Sequence, residues 1–241
     1  MKGYDASTYG ESIADVYDEL YQQLDPSDAV AAIRSLANGK PVLELGVGTG
    51  RIAVPLAEAG VDVSGIDISE PMLARLRAKT NRVKLHQSDF AEIAIDGAFG
   101  VVFVAFNTFF TLPDQDAQLR CFTSVATKLL SGGVFVIEAF VPDTARFTKD
   151  QVLQTLRVET DHVVLEATKH DRASQRLDSQ LVMLRETGVR FLPIQLRYAW
   201  PSELDVMAKL AGLRIRERWA NWRAAPFSST STMHVSIYER T

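Results

Sequence analysis

The sequence predicts an α/β fold: one doubly wound, seven-stranded and mostly parallel sheet with helices on both faces. An apolar run at 42–45 leads into a glycine-rich turn, and short apolar runs then alternate with helical patterns as far as residue 140. Each run is apolar at consecutive positions, as strands that are buried on both faces require. Alternation of this kind builds a parallel sheet and places ligands at the carboxyl ends of its strands.

The strands and helices follow one another in a regular order. Strands are predicted at 41–45, 61–67, 83–87, 101–106, 134–140, 213–219 and 234–239. Helices are predicted, from apolar residues at helical spacing, at 49–59, 69–79, 114–130 and 201–210. Ser69 caps the second of these helices, and Pro71 lies in its first turn. Gly132 and Gly133 are expected to end the third.

Two segments lie outside this alternation. Residues 1–26 carry one basic residue and six acids, and apolar residues at helical spacing predict a lid helix at 9–24. A second helix is predicted at 27–38. Residues 152–200 alternate between apolar and polar over short stretches that polar turns at 171–174 and 186–188 separate. This pattern predicts an antiparallel β insertion of roughly three strands after strand five. All these parts are assigned to a single domain spanning residues 1–241.

Composition limits the classes of function. With 26 basic and 30 acidic residues, the net charge of −4 gives no electrostatic footprint for nucleic acid. No run is apolar enough for a membrane span or a signal peptide, so we expect a cytoplasmic protein, and a monomer or a homodimer both remain open. Cys121 lies among apolar residues of a predicted helix, which favours a core position. No metal-ligand spacing appears, so no metal site is predicted.

The glycine-rich turn after strand one predicts a nucleotide site. Gly46, Gly48 and Gly50 let the backbone turn sharply and approach a ligand closely, because they carry no Cβ. A dinucleotide site has a third glycine where this chain has Arg51, and it binds pyrophosphate at the helix that follows. Glu44, two residues before the first glycine, would repel pyrophosphate but suits a cation. The turn therefore favours a cationic nucleotide over NAD.

Acids at the ends of the next two strands extend this pattern. Asp67 ends strand two, where a carboxylate can accept hydrogen bonds from both hydroxyls of a ribose. A partner for the N-terminus of the following helix is its alternative role. Ile68 and Met72 would form an apolar wall beside it, suited to adenine. Asp89 follows strand three at the same edge of the sheet, so three strand ends in succession carry a carboxylate.

The run from Glu44 to Gly50 resembles the first motif of the class I S-adenosylmethionine (SAM)-dependent methyltransferases. The resemblance implies SAM as the cofactor, with Glu44, the three glycines and Arg51 among its contacts, and S-adenosylhomocysteine (SAH) as its product. It also implies that Asp89 accepts the adenine amino group and that Phe90 packs on the adenine ring. The end of strand four, at Phe106, would face the transferred methyl group, and the last strand of the sheet would be antiparallel.

The run 9–18 resembles the opening helix of bacterial small-molecule methyltransferases, including the macrolide amino-sugar N,N-dimethyltransferases. In those enzymes the tyrosine that matches Tyr9 reaches the methyl region of SAM and the helix covers the cofactor. Tyr9 and Tyr17 are therefore candidate cofactor contacts. The sugar enzymes have a histidine in the loop after strand four, where this chain has Thr111. Thr108 and Thr111 are candidate acceptor contacts, with turn positions as the alternative.

The sequence thus predicts transfer of a methyl group from SAM to an N or O atom of a small-molecule acceptor. Tyr9 and His234 are the candidate catalytic residues. His234 lies beside the loop 226–231 and would act as a general base, because the pKa of histidine is near neutrality; a structural strand-end histidine is the alternative. Arg197 and Arg223 either hold an acidic acceptor or lie on the surface. An NAD-dependent oxidoreductase and a catalytically silent methyltransferase-like domain are the rival functions.

Overall fold

The seven-stranded sheet predicted from the sequence is present in the computed structural model, which describes residues 1–240. The elements in chain order are α1 (Thr8–Ile13), α2 (Tyr17–Tyr21), α3 (Ser27–Ala37), β1 (Val42–Leu45), α4 (Ala53–Glu58), β2 (Val63–Asp67), α5 (Glu70–Lys79), β3 (Val83–Gln87), β4 (Phe99–Val104), a 3₁₀ turn (Thr108–Thr111), α6 (Gln115–Lys128), β5 (Leu129–Phe140), β6 (Gln151–Val158), β7 (His162–Asp171), β8 (Arg176–Arg185), β9 (Gly188–Arg197), α7 (Pro201–Leu210), β10 (Leu213–Trp219) and β11 (Met233–Arg240).

The strand order of the large sheet is β10-β11-β5-β4-β1-β2-β3. Five strands run parallel, β11 pairs antiparallel with β5, and β10 pairs antiparallel with β11. This confirms the mostly parallel sheet and the antiparallel last strand. The chain leaves β1 in one direction toward β2 and later returns to its other side as β4. A crevice therefore opens at the carboxyl ends of these strands, where doubly wound folds bind ligands.

The insertion between β5 and α7 is a separate antiparallel sheet of four strands, in the order β6-β7-β8-β9. The sequence predicts roughly three strands there, because β7 carries three consecutive apolar residues at 163–165 that hide its alternation. The predicted turns at 171–174 and 186–188 do separate strands. The turn at 159–161, between β6 and β7, was not predicted.

The predicted helix at 9–24 is wrong in one respect, because the chain forms the two short helices α1 and α2 instead. Val16 N–H donates to the carbonyl oxygen of Ile13 in a tight turn that separates them. The break lets Ile13 and Leu20 both pack against the inserted sheet, where Leu192 belongs to the same buried cluster. Tertiary packing therefore decides the geometry of this segment.

The predicted end of the third helix at Gly132 and Gly133 is also wrong. Strand β5 already begins at Leu129, so both glycines lie inside it. A Cβ on Gly133 would come within 2.9 Å of the Phe99 carbonyl oxygen, and the register between β4 and β5 shifts at this point. The glycines therefore allow the backbones of β4 and β5 to approach closely where the pairing of the two strands is irregular. Helix α4 begins at Ala53, later than predicted, since the glycine turn runs on through Gly50.

Each face of the large sheet buries its own apolar cluster. Helices α6 and α7 cover one face, with Phe122 and Leu204 fully buried, and α3, α4 and α5 cover the other, with Ile33 and Leu56 fully buried. Cys121 is buried in α6, as predicted. Within residues 1–240, no helix is both long and apolar enough to cross a membrane.

Candidate functional site

The glycine turn after β1 has the backbone conformation that the sequence predicts. Gly46, Gly48 and Gly50 all have positive φ angles, between +54° and +86°. A Cβ on Gly46 would lie 2.3 Å from Thr108 Cγ2, whereas a Cβ on Gly48 would meet no atom within 4 Å. Gly46 is therefore required for packing against the end of β4. Gly48 faces open space, as a ligand-binding turn requires.

Glu44 lies behind this turn with an unsatisfied carboxylate. Its side chain is 5% exposed, and its Oε2 atom has no hydrogen-bond partner. Burial raises the pKa of Glu44 to about 8, although the charge of Arg51 and the Ala53 backbone N–H partly offset that effect. A buried acceptor without a partner is rare in folded proteins and costs free energy. The orphaned oxygen therefore marks a place where a cation or a donor is missing.

Asp67 connects two turns at the strand ends. Its Oδ2 accepts the backbone N–H of Gly48 at 2.8 Å, and its Oδ1 accepts that of Ser69 at 2.9 Å. Burial raises the pKa of Asp67, and these backbone donors only partly compensate. Ser69, and not Asp67, caps α5, because its Oγ accepts the Met72 N–H. Each carboxylate oxygen accepts one of these bonds and keeps a second lone pair for a ligand.

Asp89 lies at the carboxyl end of the neighbouring strand. One oxygen of Asp89 accepts the backbone N–H of Ala91 at 2.8 Å, which fixes the carboxylate. Phe90 is buried beside it, 3.7 Å from the position of a Cβ on Gly46. The acid and the ring that the resemblance assigns to adenine are therefore adjacent to the glycine turn.

The N-terminal segment covers this region. Tyr9 Oη lies 3.4 Å from Tyr21 Oη, and burial raises the pKa of Tyr9 well above its usual value. Burial likewise raises the pKa of Tyr17. Asp18 accepts the Thr49 hydroxyl at 2.6 Å, and its other oxygen pairs with Lys79 at 2.7 Å. These bonds attach α2 to the glycine turn and to the end of α5.

One cavity at the carboxyl ends of β1, β2, β3 and β4 collects most of the predicted residues. The predicted residues that line it are Tyr9, Tyr17, Gly46, Gly48, Asp67, Ile68, Met72, Asp89, Phe90, Thr108 and Thr111. The lining residues that the sequence analysis did not assign are Tyr4, Ala6, Gly10, Ser69, Leu112 and Pro113. Four predicted cofactor residues are not in its lining: Glu44, Gly50, Arg51 and Phe106. Glu44 and Gly50 support the turn from behind, and the Arg51 guanidinium lies 5.2 Å from the centre of the Phe106 ring.

A second cavity lies between the large sheet and the inserted sheet. Asn107 and Phe140 line it from the large sheet, and Glu166, Leu177 and Leu196 line it from the inserted sheet. Gln154 donates a hydrogen bond to Glu166, which also lies 3.6 Å from Arg146. The second cavity therefore combines apolar walls with one partly buried carboxylate.

Aromatic rings separate the two cavities. Tyr21 contacts Tyr9, which lines the first cavity, and its ring lies 5.1 Å from that of Phe106. Phe106 precedes Asn107, which lines the second cavity. Both Phe106 and Asn107 have positive backbone φ angles, which residues other than glycine rarely adopt. The chain is therefore strained where the cavities meet, as functional sites often are.

Glu138 and Trp222 hold this strained turn. Glu138 Oε2 accepts the Phe106 backbone N–H at 2.7 Å, and Oε1 accepts the Trp222 indole N–H at 2.7 Å. Asn107 Oδ1 accepts the Phe140 backbone N–H at 2.7 Å. No local sequence pattern predicts this cluster, since each of these hydrogen bonds joins residues more than 30 positions apart.

The structure does not support the catalytic role predicted for His234. The side chain is fully buried and lines neither of the two cavities, and its Nδ1 lies 2.9 Å from Ser236 Oγ. Burial lowers the pKa of His234 to about 4, so the imidazole stays neutral. Arg197 is buried in a pair with Glu203, and the exposed Arg223 pairs with Asp28. Both arginines therefore have structural partners.

Residues 1–240 contain no group of three or more His, Cys, Asp or Glu side chains that could hold a metal ion. The two cavities are thus built from carboxylates, hydroxyls and aromatic rings. They offer hydrogen-bond acceptors and apolar walls to an organic ligand.

Known proteins share this architecture and sequence. A family model described as "Methyltransferase domain" matches residues 42–133. The structure of the CcbJ methyltransferase from Streptomyces caelestis is 40% identical, superposes with a TM-score of 0.93, and the match covers 99% of this chain and 100% of that one. The cypemycin N-terminal methyltransferase of a Streptomyces species is 29% identical over 98% of this chain and 99% of its own. A dTDP-3-amino-3,4,6-trideoxy-α-D-glucopyranose N,N-dimethyltransferase of Streptomyces venezuelae is 28% identical over 54% of this chain and 59% of its own.

Proposed function

Because the chain belongs to the class I SAM-dependent methyltransferases, we propose that it methylates an amine nitrogen of a small-molecule acceptor of secondary metabolism. SAM would be converted to SAH. Two of the relatives are named as a cypemycin N-terminal methyltransferase, which matches over the full chain, and an amino-sugar N,N-dimethyltransferase, which matches over half of it. These names support the class of reaction, and the acceptor itself is inferred from the residues of the two cavities.

SAM, when bound, supplies a methyl group on a positively charged sulfur and needs acceptors for its ribose, adenine and ammonium groups. Asp67 would accept the ribose hydroxyls with the lone pairs that Gly48 and Ser69 leave free. Asp89 would accept the adenine amino group, with Phe90 and Met72 as the apolar walls. All four side chains line the first cavity.

The surroundings of Glu44 indicate which charge of cofactor suits the glycine turn. Its Oε2 is buried without a partner, and its carboxyl group holds a proton at neutral pH because its pKa is raised. A cation nearby would favour the ionised form and remove the cost of the unpaired oxygen. A pyrophosphate would instead oppose ionisation of Glu44 and leave its oxygen buried without a partner. The glycine turn in front of Glu44 therefore suits a cationic cofactor better than a pyrophosphate.

Nitrogen is favoured as the attacked atom because the carboxylates near the acceptor already have other roles. Asp67 and Asp89 line the first cavity and are assigned to the cofactor. Glu166, in the second cavity, accepts from Gln154 and lies beside Arg146.

Among the residues in 1–240 that line the first cavity there is no histidine, lysine or cysteine. Burial raises the pKa of Tyr9 and of Tyr17, so both phenols stay protonated at neutral pH. A hydroxyl acceptor would need a base to remove its proton, whereas a free amine attacks with its own lone pair.

The contribution of the chain is then mainly alignment. The acceptor would lie in the second cavity with its amine reaching past Phe106 to the methyl group bound in the first, and Glu138 would fix the strained turn at that point. Alignment of two bound reactants can supply about 7–11 kcal/mol of the barrier. Glu166 would accept hydrogen bonds from polar groups of the acceptor, and Phe140 and Leu196 would contact its apolar parts.

The test is a methyl-transfer assay with radiolabelled SAM and matched pairs of acceptors. Amino sugars and small peptides with a free N-terminus would be compared with the corresponding sugars and acetylated peptides. We expect label only in the amines, and a rate that rises with pH until the free amine predominates. Equal labelling of the hydroxyl compounds would contradict the nitrogen assignment. Binding of NAD but not SAM would exclude the methyltransferase reaction, and SAM binding without transfer to any acceptor would favour a silent domain.

A further inference from the structure

A buried histidine and a buried tyrosine form a hydrogen-bonded pair at the wall of the second cavity. His170 Nε2 lies 3.0 Å from Tyr198 Oη, and the two residues are 5% and 4% exposed. Tyr198 lines the second cavity, whereas His170 is not part of its lining. Phe147, which also lines this cavity, packs on the His170 ring with 4.5 Å between the ring centres. Neither member of the pair lines the first cavity.

Tyr198 is held in place through its backbone. Its N–H donates to the Gln175 carbonyl oxygen at 3.0 Å, and its own carbonyl oxygen accepts the Gln175 side-chain amide at 2.9 Å. The preceding residue, Arg197, pairs with Glu203 and donates to Gln118. A side chain fixed in this way loses little freedom when a ligand binds, which favours a strong contact.

Stability alone does not account for the pair. The Nδ1 atom of His170 is buried and has no hydrogen-bond partner. A buried polar atom without a partner costs free energy, and apolar residues of similar shape would fill the same space without that cost. Burial lowers the pKa of His170, so its ring is neutral at neutral pH and forms no ion pair. The pair therefore indicates a role in the cavity that Tyr198 lines.

The tautomer of the neutral ring sets the direction of the hydrogen bond. A neutral imidazole carries a single N–H. With the proton on Nδ1, a buried N–H would have no acceptor, and orphaned donors are rarer in proteins than unpaired acceptors. The proton of His170 therefore lies on Nε2 and is donated to Tyr198 Oη. The phenol O–H is then free for a ligand, since no other residue within 1–240 hydrogen-bonds to that hydroxyl.

We propose that Tyr198 is a specificity-determining contact, which donates its hydroxyl hydrogen to an uncharged oxygen atom of the acceptor, and that His170 is its positioning residue. This inference rests on the proposed methyl transfer to a small molecule in the second cavity. Hydroxyl, ether and amide oxygen atoms all accept such a bond. An acidic group fits less well, because two carboxylates, Glu166 and Asp143, already line this cavity against one cation, Arg146.

The experiment compares two ring-shaped amines that differ in oxygen content, a 3-amino-3-deoxyhexose and cyclohexylamine. Their dissociation constants are measured by calorimetry on the SAH-loaded protein, so the result does not depend on turnover. The wild type should prefer the amino sugar. Tyr198→Phe should weaken amino-sugar binding roughly five- to tenfold, as expected for one lost hydrogen bond, and leave cyclohexylamine binding unchanged.

Tyr238→Phe is the matched control. Tyr238 is a fully buried tyrosine whose hydroxyl donates to Asp205, and it lines neither cavity. The control should bind both amines as the wild type does.

Variants of His170 test its positioning role. His170→Gln keeps an N–H donor and should keep most of the amino-sugar affinity. His170→Phe keeps the packing on Phe147 but not the donor, and should lose as much affinity as Tyr198→Phe. The double variant Tyr198→Phe/His170→Phe should be no weaker than either single variant, because the two residues act as one unit. In turnover these losses should appear in KM, with kcat and SAH affinity unchanged.

Several results would overturn the proposal: no preference of the wild type for the amino sugar, unchanged amino-sugar affinity in Tyr198→Phe, or an equal loss for cyclohexylamine. Loss of SAH binding in Tyr198→Phe would also overturn it, because the pair would then be structural. Nitrogen-15 NMR that places the His170 proton on Nδ1 would do the same, since the phenol would then donate to the ring. Amino-sugar binding that depends on Tyr198 without methylation of either amine would support this contact and contradict the proposed transfer to nitrogen.

Discussion

At the residue scale, the buried carboxylate of Glu44 sets the balance between stability and cofactor binding. It is placed behind the glycine turn, with one oxygen unpaired and its pKa raised to about 8 by burial. An unfolded chain releases this proton near pH 4.3, and the folded chain keeps it until about pH 8. The folded state therefore binds more protons between these values, so Glu44 lowers the stability of the ligand-free protein progressively as pH rises through that window.

The first prediction follows from this loss of stability with rising pH. Glu44→Gln removes the ionisable group, so its stability advantage over the wild type should be small at pH 5 and grow to about 2–4 kcal/mol at pH 8. The same variant should bind SAM more weakly, because a neutral amide does not pair with a cation. Urea unfolding at several pH values and calorimetric titration with SAM measure the two effects. A stability difference that does not change between pH 5 and pH 8 would contradict the raised pKa.

The second prediction concerns Asp67. Asp67→Ala removes the acceptor proposed for the ribose and also releases the Gly48 and Ser69 N–H groups. Loss of a charge-assisted hydrogen bond costs about 1.5–3 kcal/mol, so the dissociation constant for SAH should rise roughly tenfold or more. Asp62→Ala is the control, since Asp62 is an exposed acid that pairs with Lys84 away from the first cavity. Equal SAH affinity of the two variants would refute the assignment of Asp67.

At the scale of elements, the position of α1 depends on one glycine. Gly10 lies against α5, and a Cβ there would come within 2.4 Å of Ser69 Cβ and 2.6 Å of Ser69 Oγ. Tyr9, Gly10 and Ser69 all line the first cavity. The absence of a side chain at Gly10 therefore lets α1 close over the ends of the strands.

The third prediction tests this contact. Gly10→Ala should displace α1 and weaken SAH binding by about tenfold, because overpacking of a tight contact costs typically 1–3 kcal/mol. Glu11→Ala, an exposed neighbour in the same helix, should bind SAH normally. The double variant Gly10→Ala/Ser69→Gly removes the clash. It also removes the Ser69 side chain that caps α5, but glycine is itself a tolerated N-cap residue, so the loss of stability is small. Calorimetry should show that it recovers part of the lost affinity; no recovery would mean that the contact with Ser69 is not the cause.

Elements differ in how well the sequence predicts them, and the reason is physical. The buried parallel strands are continuous apolar runs, so β1, β2, β4 and β5 were predicted within a few residues. The acids at their ends were predicted too, because parallel strands bring equivalent positions to one edge. The break at 14–16 was not predicted, since packing between α1, α2 and the inserted sheet decides it. Strand β7 was not predicted because its consecutive apolar residues at 163–165 hide the alternation.

The same limit applies to individual site residues. His234 was predicted to open the last strand beside the loop 226–231, and it is the second residue of β11. Pairing with Ala139 of β5 buries its ring, which no local pattern indicates. The contacts of Glu138 with Phe106 and Trp222 join positions 32 and 84 residues apart. No local pattern in the sequence encodes such pairs, because they form only when the sheet is complete.

At the scale of the whole molecule, the N-terminal segment and the inserted sheet form one cover over the two cavities. Arg190 of β9 binds both oxygens of Asp15 and the carbonyl oxygen of Ser12. Arg157 donates to the carbonyl oxygen of Leu20 at 2.9 Å, and the N-terminal ammonium group lies 3.1 Å from Asp178. The two parts of the cover are more than 130 residues apart in the sequence, so these bonds connect them only in the folded chain.

The last prediction is that Arg190 couples the inserted sheet to the cofactor cavity although it does not line that cavity. Arg190→Ala should loosen α1, expose residues 1–22 to protease and raise the dissociation constant for SAH about fivefold. This corresponds to about 1 kcal/mol, the upper range for a partly exposed ion pair, which its bidentate geometry justifies. Arg190→Lys keeps the positive charge but cannot bind both oxygens of Asp15 as the guanidinium does. It should therefore show most of the loss of SAH affinity. Arg172→Ala, which breaks an exposed pair with Asp150 at another site, is the control.

Ionic strength distinguishes this coupling from a loss of packing. At 1 M salt the Debye length falls to about 3 Å, so the exposed bonds of Arg190 to Asp15 should weaken in the wild type. The difference in SAH affinity between wild type and Arg190→Ala should therefore shrink as salt is added. A difference that stays constant would mean that Arg190 acts through its aliphatic stem. Unchanged affinity and protease resistance in Arg190→Ala would show that the two parts of the cover move independently.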